Sequence, residues 1–326
     1  MDYVRLGNSG LKVSRLALGC MSFGEPDRGA HPWTLGYESA LPLFKEALDA
    51  GINFLDTANV YSDGSSEEIV GRLVRENVKR DEVVIASKVY QRMDKSANGM
   101  GLSRKSIMSE VDNSLRRLGT DYIDLYQTHF WDNETPIEET LEALNDVVRA
   151  GKVRYIGASN MYAWQFATSI QISKHRNWAA FTSMQLHLNL IYREEQREML
   201  PLCRSEGIGV MVFSPLARGL LTKDSNEKST RAETDLVTGR WYEKTAAADQ
   251  AVVDEVRAIA EERGLPRAQI ALAWVMRQSG VTCPIIGATK SQHLQDAIAS
   301  LDVTLSDEEV SRLEANYIPH AVVGLM

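Results

Sequence analysis

The sequence predicts an α/β chain folded as a (β/α)8 TIM barrel, and three observations carry that prediction. Eight apolar runs of strand length recur along the chain, amphipathic segments of helical period lie between them, and no linker or low-complexity stretch interrupts the 326 residues. Residues 1–326 therefore read as one barrel domain. Strands rich in apolar residues with helices on both sides read as parallel and buried on both faces. Eight such units favour a closed barrel over an open doubly wound sheet.

The elements follow in order. An N-terminal hairpin is predicted in "YVRLGNSGLKVSRL", where Asn8, Ser9 and Gly10 supply the turn. The eight strand candidates are "LALGCM", "INFLDTA", "EVVIASKV", "YIDLYQTH", "VRYIGAS", "FTSMQLH", "GVMVFSPL" and "TCPIIGA". Helical period is clear in "ESALPLFKEALDAG", "SSEEIVGRLVREN", "SRKSIMSEVDNSLRRLG" and "TPIEETLEALNDVVRAG". In the last of these, Thr135 is placed to cap, Pro136 to open the helix, Glu138 to close a capping box and Gly151 to end the helix in a left-handed turn. Ser306 and Glu309 offer a similar box, and Ser65 and Glu68 are placed to cap the helix after the second strand. The long polar loop after the seventh strand, 221–248, has the length of a functional lid.

Composition narrows the class of function. Hydrophobic residues are 44% and charged residues 25%, the balance of a protein with a sizeable core. With 44 acidic and 36 basic residues the net charge is −8, which argues against a nonspecific nucleic-acid or anionic-membrane surface. Cys20, Cys203 and Cys283 are far apart and show no CxxC spacing, so neither a disulfide framework nor a cysteine metal site is expected. The start of the chain has no basic segment followed by an apolar one, and no apolar run approaches membrane-spanning length. A cytoplasmic protein is expected.

In a barrel, chemistry is expected at the C-terminal ends of the strands. Here those ends carry Asp56, Lys88, His129, Ser159 with Asn160, Gln185, Ser214 with Pro215, and Gly287 followed by Lys290. Each has a bland reading: Asp56 as a turn residue, Lys88 snorkelling, His129 satisfied in the core, Tyr61 packed as an aromatic, Ser159 and Asn160 starting a helix. Those readings do not predict Asp, Lys and His at the same end of three consecutive strands. Together they make a proton donor. A lysine cation beside a tyrosine favours the phenolate and lowers the hydroxyl's pKa. Asp56 would hold Lys88 in place, and His129 would donate a hydrogen bond to a substrate oxygen. The arrangement protonates a carbonyl oxygen, and the missing nucleophile points to a bound hydride donor of nicotinamide type. Ser159, Asn160 and Gln185 suit a carboxamide, and Phe213 suits a flat ring.

From "VRLGNSGLKVSRLALGCMSFG" to "HAVVGLM", the chain resembles the aldo-keto reductases. The resemblance rests on "FLDTANVY", "ASKV", "DYIDLYQTH", "GASN", "SMQLH", "FSPLARGLLT" and "PIIGATK", in that order. The branch looks like the bacterial and fungal sugar and aldehyde reductases, some labelled deoxyxylulose-phosphate-synthase-like; potassium-channel β-subunits are more distant. The resemblance implies a catalytic tetrad of Asp56, Tyr61, Lys88 and His129, with Tyr61 as general acid. It also implies NADPH lying across the barrel mouth without a Rossmann domain, in keeping with the absence of any GxGxxG. Gly19, Met21, Asp56, Ser159, Asn160 and Gln185 would lie at the nicotinamide end, with Phe213 against the ring. Ser214, Pro215, Leu216, Arg218, Gly219 and Leu220 would meet the pyrophosphate. Gly287, Lys290, His293 and Asp296 would serve the 2′-phosphate and adenine. His293 stands where Arg is frequent and Ala297 where Asn is frequent, so NADH use is plausible beside NADPH. "HFWD" replaces the usual "HWPD", and Leu188 replaces a common Tyr.

For the substrate, Trp33, Tyr61, His129 and Trp131, with Met21, would line a largely apolar pocket that takes a small carbonyl or alcohol, as readily a flat aldehyde as a sugar. Trp33 reads equally as a surface anchor, and His31 and His320 read as mobile-loop residues without a role. Two other readings stay open: a nucleotide-sensing regulatory subunit of the channel-β type, and a metal-free isomerase on the same barrel.

Overall fold

A computed structural model describes residues 1–29, 31–222 and 241–324. Most of the candidate lid, 223–240, lies outside the described residues.

An antiparallel hairpin, β1 (Tyr3–Arg5) and β2 (Lys12–Ser14), precedes the sheet. Eight parallel strands then close on themselves: β3 (Ala17–Gly19), β4 (Phe54–Asp56), β5 (Val84–Val89), β6 (Ile123–Thr128), β7 (Val153–Ser159), β8 (Phe181–His187), β9 (Gly209–Phe213) and β10 (Val281–Ile286), with β10 paired to β3. Between them run α1 (Tyr37–Asp49), α2 (Ser65–Asn77), α3 (Arg104–Leu118), α4 (Ile137–Arg149), α5 (Ala163–Arg176), α6 (Met199–Glu206), α7 (Ala246–Arg263) and α8 (Arg267–Arg277). Two more helices, α9 (Ser291–Ala299) and α10 (Asp307–Ala315), follow β10. The predicted barrel with its N-terminal hairpin is the fold.

Strand alternation divides the apolar residues into two cores. Val84 and Ala86 of β5 join Ala17, Phe54, Leu125, Met211, Cys283 and Ile285 inside the barrel. Ile85, between them, joins the sheath packed against the helices. Leu6 and Val13 of the hairpin belong to the interior cluster, and Asn8 donates its backbone N–H to Gly207 O at 2.7 Å, so the hairpin plugs the N-terminal end. That plug fills the N-terminal end of the barrel interior.

The helix boundaries correct several cap assignments. The cap position of α4 is Pro136, not Thr135; the Thr135 hydroxyl lies in the loop before the helix and donates to Asp132 Oδ2 at 2.7 Å. Ser65 is already helical; left-handed Gly64 precedes it, the Ser65 hydroxyl donates to Ser62 O, and Glu68 pairs with Arg28 at 2.8 Å. The Ser306–Glu309 box does form, and Gly151 has φ of 74°. Ser159 ends β7 and Asn160 lies in the loop beyond it, so neither starts α5.

Candidate active site

The mouth is built from the last inward-facing positions of adjacent strands. Asp56 closes β4, Lys88 is the penultimate residue of β5, and His129 follows β6 directly. Register places them side by side: Asp56 pairs with Ala86 across β4–β5, and Lys88 with Gln127 across β5–β6. All three side chains are withdrawn from solvent.

Lys88 Nζ is the centre of the constellation. It donates to Asp56 Oδ2 at 2.7 Å, to Thr57 O at 2.7 Å and to Tyr61 Oη at 3.3 Å. An ammonium has three protons, and three acceptors lie in reach. The Tyr61 ring meets His129 edge to face at 5.8 Å between centroids. The four residues that the sequence singled out therefore form one cluster.

Tyr61 is carried by a short, tight turn. Ser62, Asp63 and Gly64 follow it with φ of 47°, 49° and 87°, three left-handed residues in succession, two of them not glycine. Neighbouring groups hold this turn: Arg28 donates to Asp63 O at 2.6 Å, and Gly24 and Gly29 lie so close to Ser62 that a Cβ on either would meet it.

The electrostatics follow from burial and one cation. Burial works to lower the Lys88 ammonium, but Asp56 and Tyr61 outweigh it and the group is held above its ordinary value. Burial pushes the Tyr61 hydroxyl up while Lys88 pulls it down, leaving it raised and protonated at neutral pH. Burial, then Lys88, drives His129 well below the usual histidine range, so the ring is neutral and able to donate from one nitrogen. Among the described residues, buried His129 Nδ1 has no partner.

Around the tetrad, several expected cofactor residues bond within the protein. Asn160 Nδ2 donates to His129 O at 2.9 Å and to Ser159 Oγ at 3.0 Å, with Asn160 itself left-handed at φ of 48°. Gln185 Nε2 donates to Asp56 Oδ1 at 2.8 Å. Phe213 stacks at 5.3 Å and 9° on His187, which stacks in turn on Tyr192. The turn after β9 is left-handed at Ser214, Ala217, Arg218 and Gly219, and Arg218 lies over the Trp241 ring at 5.7 Å. Lys290 and His293 are exposed at the start of α9, where a Cβ on nearby Gly287 would meet nothing within 4 Å. Asp296 already accepts from Gln292 at 3.0 Å and Gln269 at 3.4 Å.

On the substrate side, Trp131 pairs with exposed Trp164 at 6.1 Å, Phe130 lies between Tyr90 and His129, and Trp33 stacks obliquely on His31 at 5.0 Å. His320 differs from its reading as a mobile-loop residue. Its Nε2 meets Asp249 Oδ1 at 2.8 Å and its ring stacks on Tyr317, because the chain after α10 folds back onto α7 and buries the imidazole.

Two residues at the mouth were not singled out from the sequence. Gln127, wholly buried, donates from Nε2 to Asp56 Oδ1 at 3.2 Å; inward alternation from Leu125 would have found it. Asn189 Nδ2 donates to Ser214 O at 3.0 Å, and no strand periodicity signals it. A surface depression of about 1040 Å3 is elsewhere: it lies at the opposite end of the barrel, between the α2–β5 and α3–β6 connections. There Arg80 is taken up by Thr120, Val83 O, Tyr122 O and Asp124 within the protein.

A closed parallel barrel with a lysine, a carboxylate, a tyrosine and a histidine at its C-terminal mouth is the architecture of an oxidoreductase that works without a Rossmann domain. Residues 15–318 match the Aldo/keto reductase family, and the chain belongs to it. It is 43% identical to the versiconal hemiacetal acetate reductase of Aspergillus parasiticus, over 99% of this chain and 98% of that one. Identity is 42% to a putative aryl-alcohol dehydrogenase of Schizosaccharomyces pombe, covering 99% and 97%, and 38% to another of Saccharomyces cerevisiae, covering 97% of each. The chain is an NAD(P)H-dependent oxidoreductase acting on small carbonyl compounds. Among the described residues, no helix is long and apolar enough to cross a membrane and no three His, Cys, Asp or Glu side chains cluster to hold a metal.

Proposed function

We propose that the protein reduces small aldehydes and ketones to alcohols, reversibly, with NADPH as the preferred cofactor and Tyr61 as general acid. The observation that carries this reading is the placement of Lys88 Nζ on Asp56, Thr57 O and Tyr61 Oη at once. The cofactor residues fit a nucleotide: polar groups of Ser159, Asn160 and Arg218 border the mouth, Lys290 is exposed, and Gly287 leaves room that a side chain would fill. The nicotinamide supplies the hydride when bound.

The chain's own residues supply the rest. Neutral His129 donates a hydrogen bond to the substrate oxygen and orients it toward Tyr61. As negative charge develops on that oxygen, Tyr61 delivers its proton. Lys88 stabilises the phenolate left behind, and Asp56 keeps the lysine charged within a buried site. Phe213, Ser159 and Asn160 hold the cofactor end; Trp33, Trp131 and Met21 wall the substrate side and exclude water. Those aromatic walls, together with the aryl-alcohol names of two relatives, favour a flat aldehyde over a sugar.

Turnover of 4-nitrobenzaldehyde, followed by NADPH absorbance, tests the reading. Tyr61→Phe is expected to lose on the order of 10²-fold or more in kcat with cofactor affinity little changed. Retained turnover would remove Tyr61 from the mechanism, and tight NADPH binding without oxidation across a carbonyl panel would favour a sensor. Lys290→Ala is expected to weaken NADPH more than NADH in fluorescence titrations; equal losses would show that the lysine does not read the 2′-phosphate.

A further inference from the structure

We propose that Gln127 is a positioning residue for this reaction: its amide, with that of Gln185, fixes Asp56 as a carboxylate turned toward Lys88. The inference rests on the reading of Tyr61 as the acid that Lys88 serves. It concerns the other side of the lysine.

Asp56 is buried and its two oxygens are divided. Oδ2 accepts from Lys88 Nζ at 2.7 Å. Oδ1 accepts from Gln185 Nε2 at 2.8 Å and from Gln127 Nε2 at 3.2 Å. Gln185 Nε2 also approaches Gln127 Oε1 at 3.4 Å, which ties the two amides together. The three side chains span β4, β6 and β8, strands that do not pair with one another, so the contacts bridge the barrel interior.

The fold makes room for this bridge. Gly157 of β7 pairs with Gln127 on one side and Ser183 on the other. A Cβ on Gly157 would lie 3.0 Å from Gln127 Cγ and 2.3 Å from Ser183 Oγ. A fully buried glutamine at a position where its neighbours on the strand below are apolar is otherwise a poor core residue. Its amide has an anion to serve.

The consequence is geometric and electrostatic. With Oδ1 occupied, the carboxylate plane is set, and Oδ2 presents a fixed acceptor that aligns Lys88 on Tyr61. Two amide donors hold Oδ1 from the side away from Lys88. The other titratable groups around Asp56 are Lys88, Tyr61, Cys20 and Cys283, and burial pushes both thiols up, out of the working range.

The test uses the full-length enzyme with NADPH and 4-nitrobenzaldehyde, and runs Tyr61→Phe in parallel. Gln127→Met keeps the length and removes the donor. It is expected to lower kcat by about tenfold, since Asp56 loses one charge-assisted hydrogen bond. Gln127→Glu places a second carboxyl against Asp56. Its activity is expected to rise toward acid pH, where one shared proton restores a donor, and to fall as that proton leaves. A purely structural glutamine would give the two variants the same pH profile. Parental kcat and profile in Gln127→Met, or identical profiles in the two variants, would overturn the proposal while Tyr61→Phe remains inactive. An active Tyr61→Phe would instead overturn the reading on which it rests.

Discussion

Two buried ion pairs lie back to back across β5, and they are built for different purposes. Lys88 faces into the barrel and meets Asp56 at 2.7 Å. Ser87, one residue earlier, faces out and donates to Glu67 of α2, whose other oxygen takes Arg117 Nε of α3 at 2.6 Å. Glu110 of α3 extends this outer network, accepting from Asn59 Nδ2 at 2.9 Å. Alternation along one strand thus sends two charged clusters to opposite faces.

The difference lies in what each cluster leaves open. The outer one joins two helices to the barrel wall and to the loop before Tyr61. It is closed. The inner one has its cation on a tyrosine at a mouth where a ligand can enter, beside a histidine with an unpartnered nitrogen. Burial and pairing alone therefore do not distinguish the two clusters; the inner one's place at the mouth does.

The largest expected effect comes from breaking the inner pair. Lys88→Met leaves Asp56 buried without its cation, and is expected to destabilise the fold by about 3–5 kcal/mol. The same change is expected to reduce kcat by about 10²–10³-fold, through loss of preorganised charge at Tyr61. Urea unfolding and steady-state turnover check the two losses separately. Breaking the outer pair should give only the first. Glu67→Ala is expected to cost about 3–5 kcal/mol in unfolding free energy, with kcat of the folded fraction within about threefold of the parent. A turnover loss as large as that of Lys88→Met would erase the distinction.

A smaller effect sharpens the comparison with an acid that has no such cation. Glu195 lies beside a small cleft with Met184, His187 and Val323, and burial, then Glu194, pushes it up to about 7. The folded state holds a proton that the unfolded chain releases near its ordinary value of 4.5. Stability therefore falls as pH rises from there through about 7, and stays reduced above. Glu195→Gln is expected to stabilise the protein by about 1–3 kcal/mol at pH 8 and not at pH 4. The same gain at both pH values would mean that the carboxylate's charge is not the cause.

Much of this arrangement was legible in the chain. Asp56, Lys88 and His129 end successive apolar runs, so the barrel rule alone brings them together. Tyr61 was harder: it lies five residues beyond its strand, beside a left-handed turn at Ser62–Gly64, and only the fold shows that its hydroxyl reaches Lys88. The caps at Thr135 and Ser65 do not form because each helix starts one residue away from the expected position, after Pro136 and after left-handed Gly64. Gln127 carries no such signal, because it is the inward residue two positions before His129 rather than the strand end itself.

By itself the sequence determined the alternation of elements, and through it which strand ends share a mouth, because hydrophobic period and cap chemistry are local properties. Tertiary structure decided what is set by several strands at once. The split of Asp56 between a lysine and two glutamines draws on four strands, β4, β5, β6 and β8. Gly71 is likewise silent in the sequence, yet a Cβ there would sit 2.0 Å from Leu118 O, so α2 and α3 reach their spacing only with glycine at that crossing. Such contacts join residues far apart in the chain, and no local pattern records them until the barrel closes.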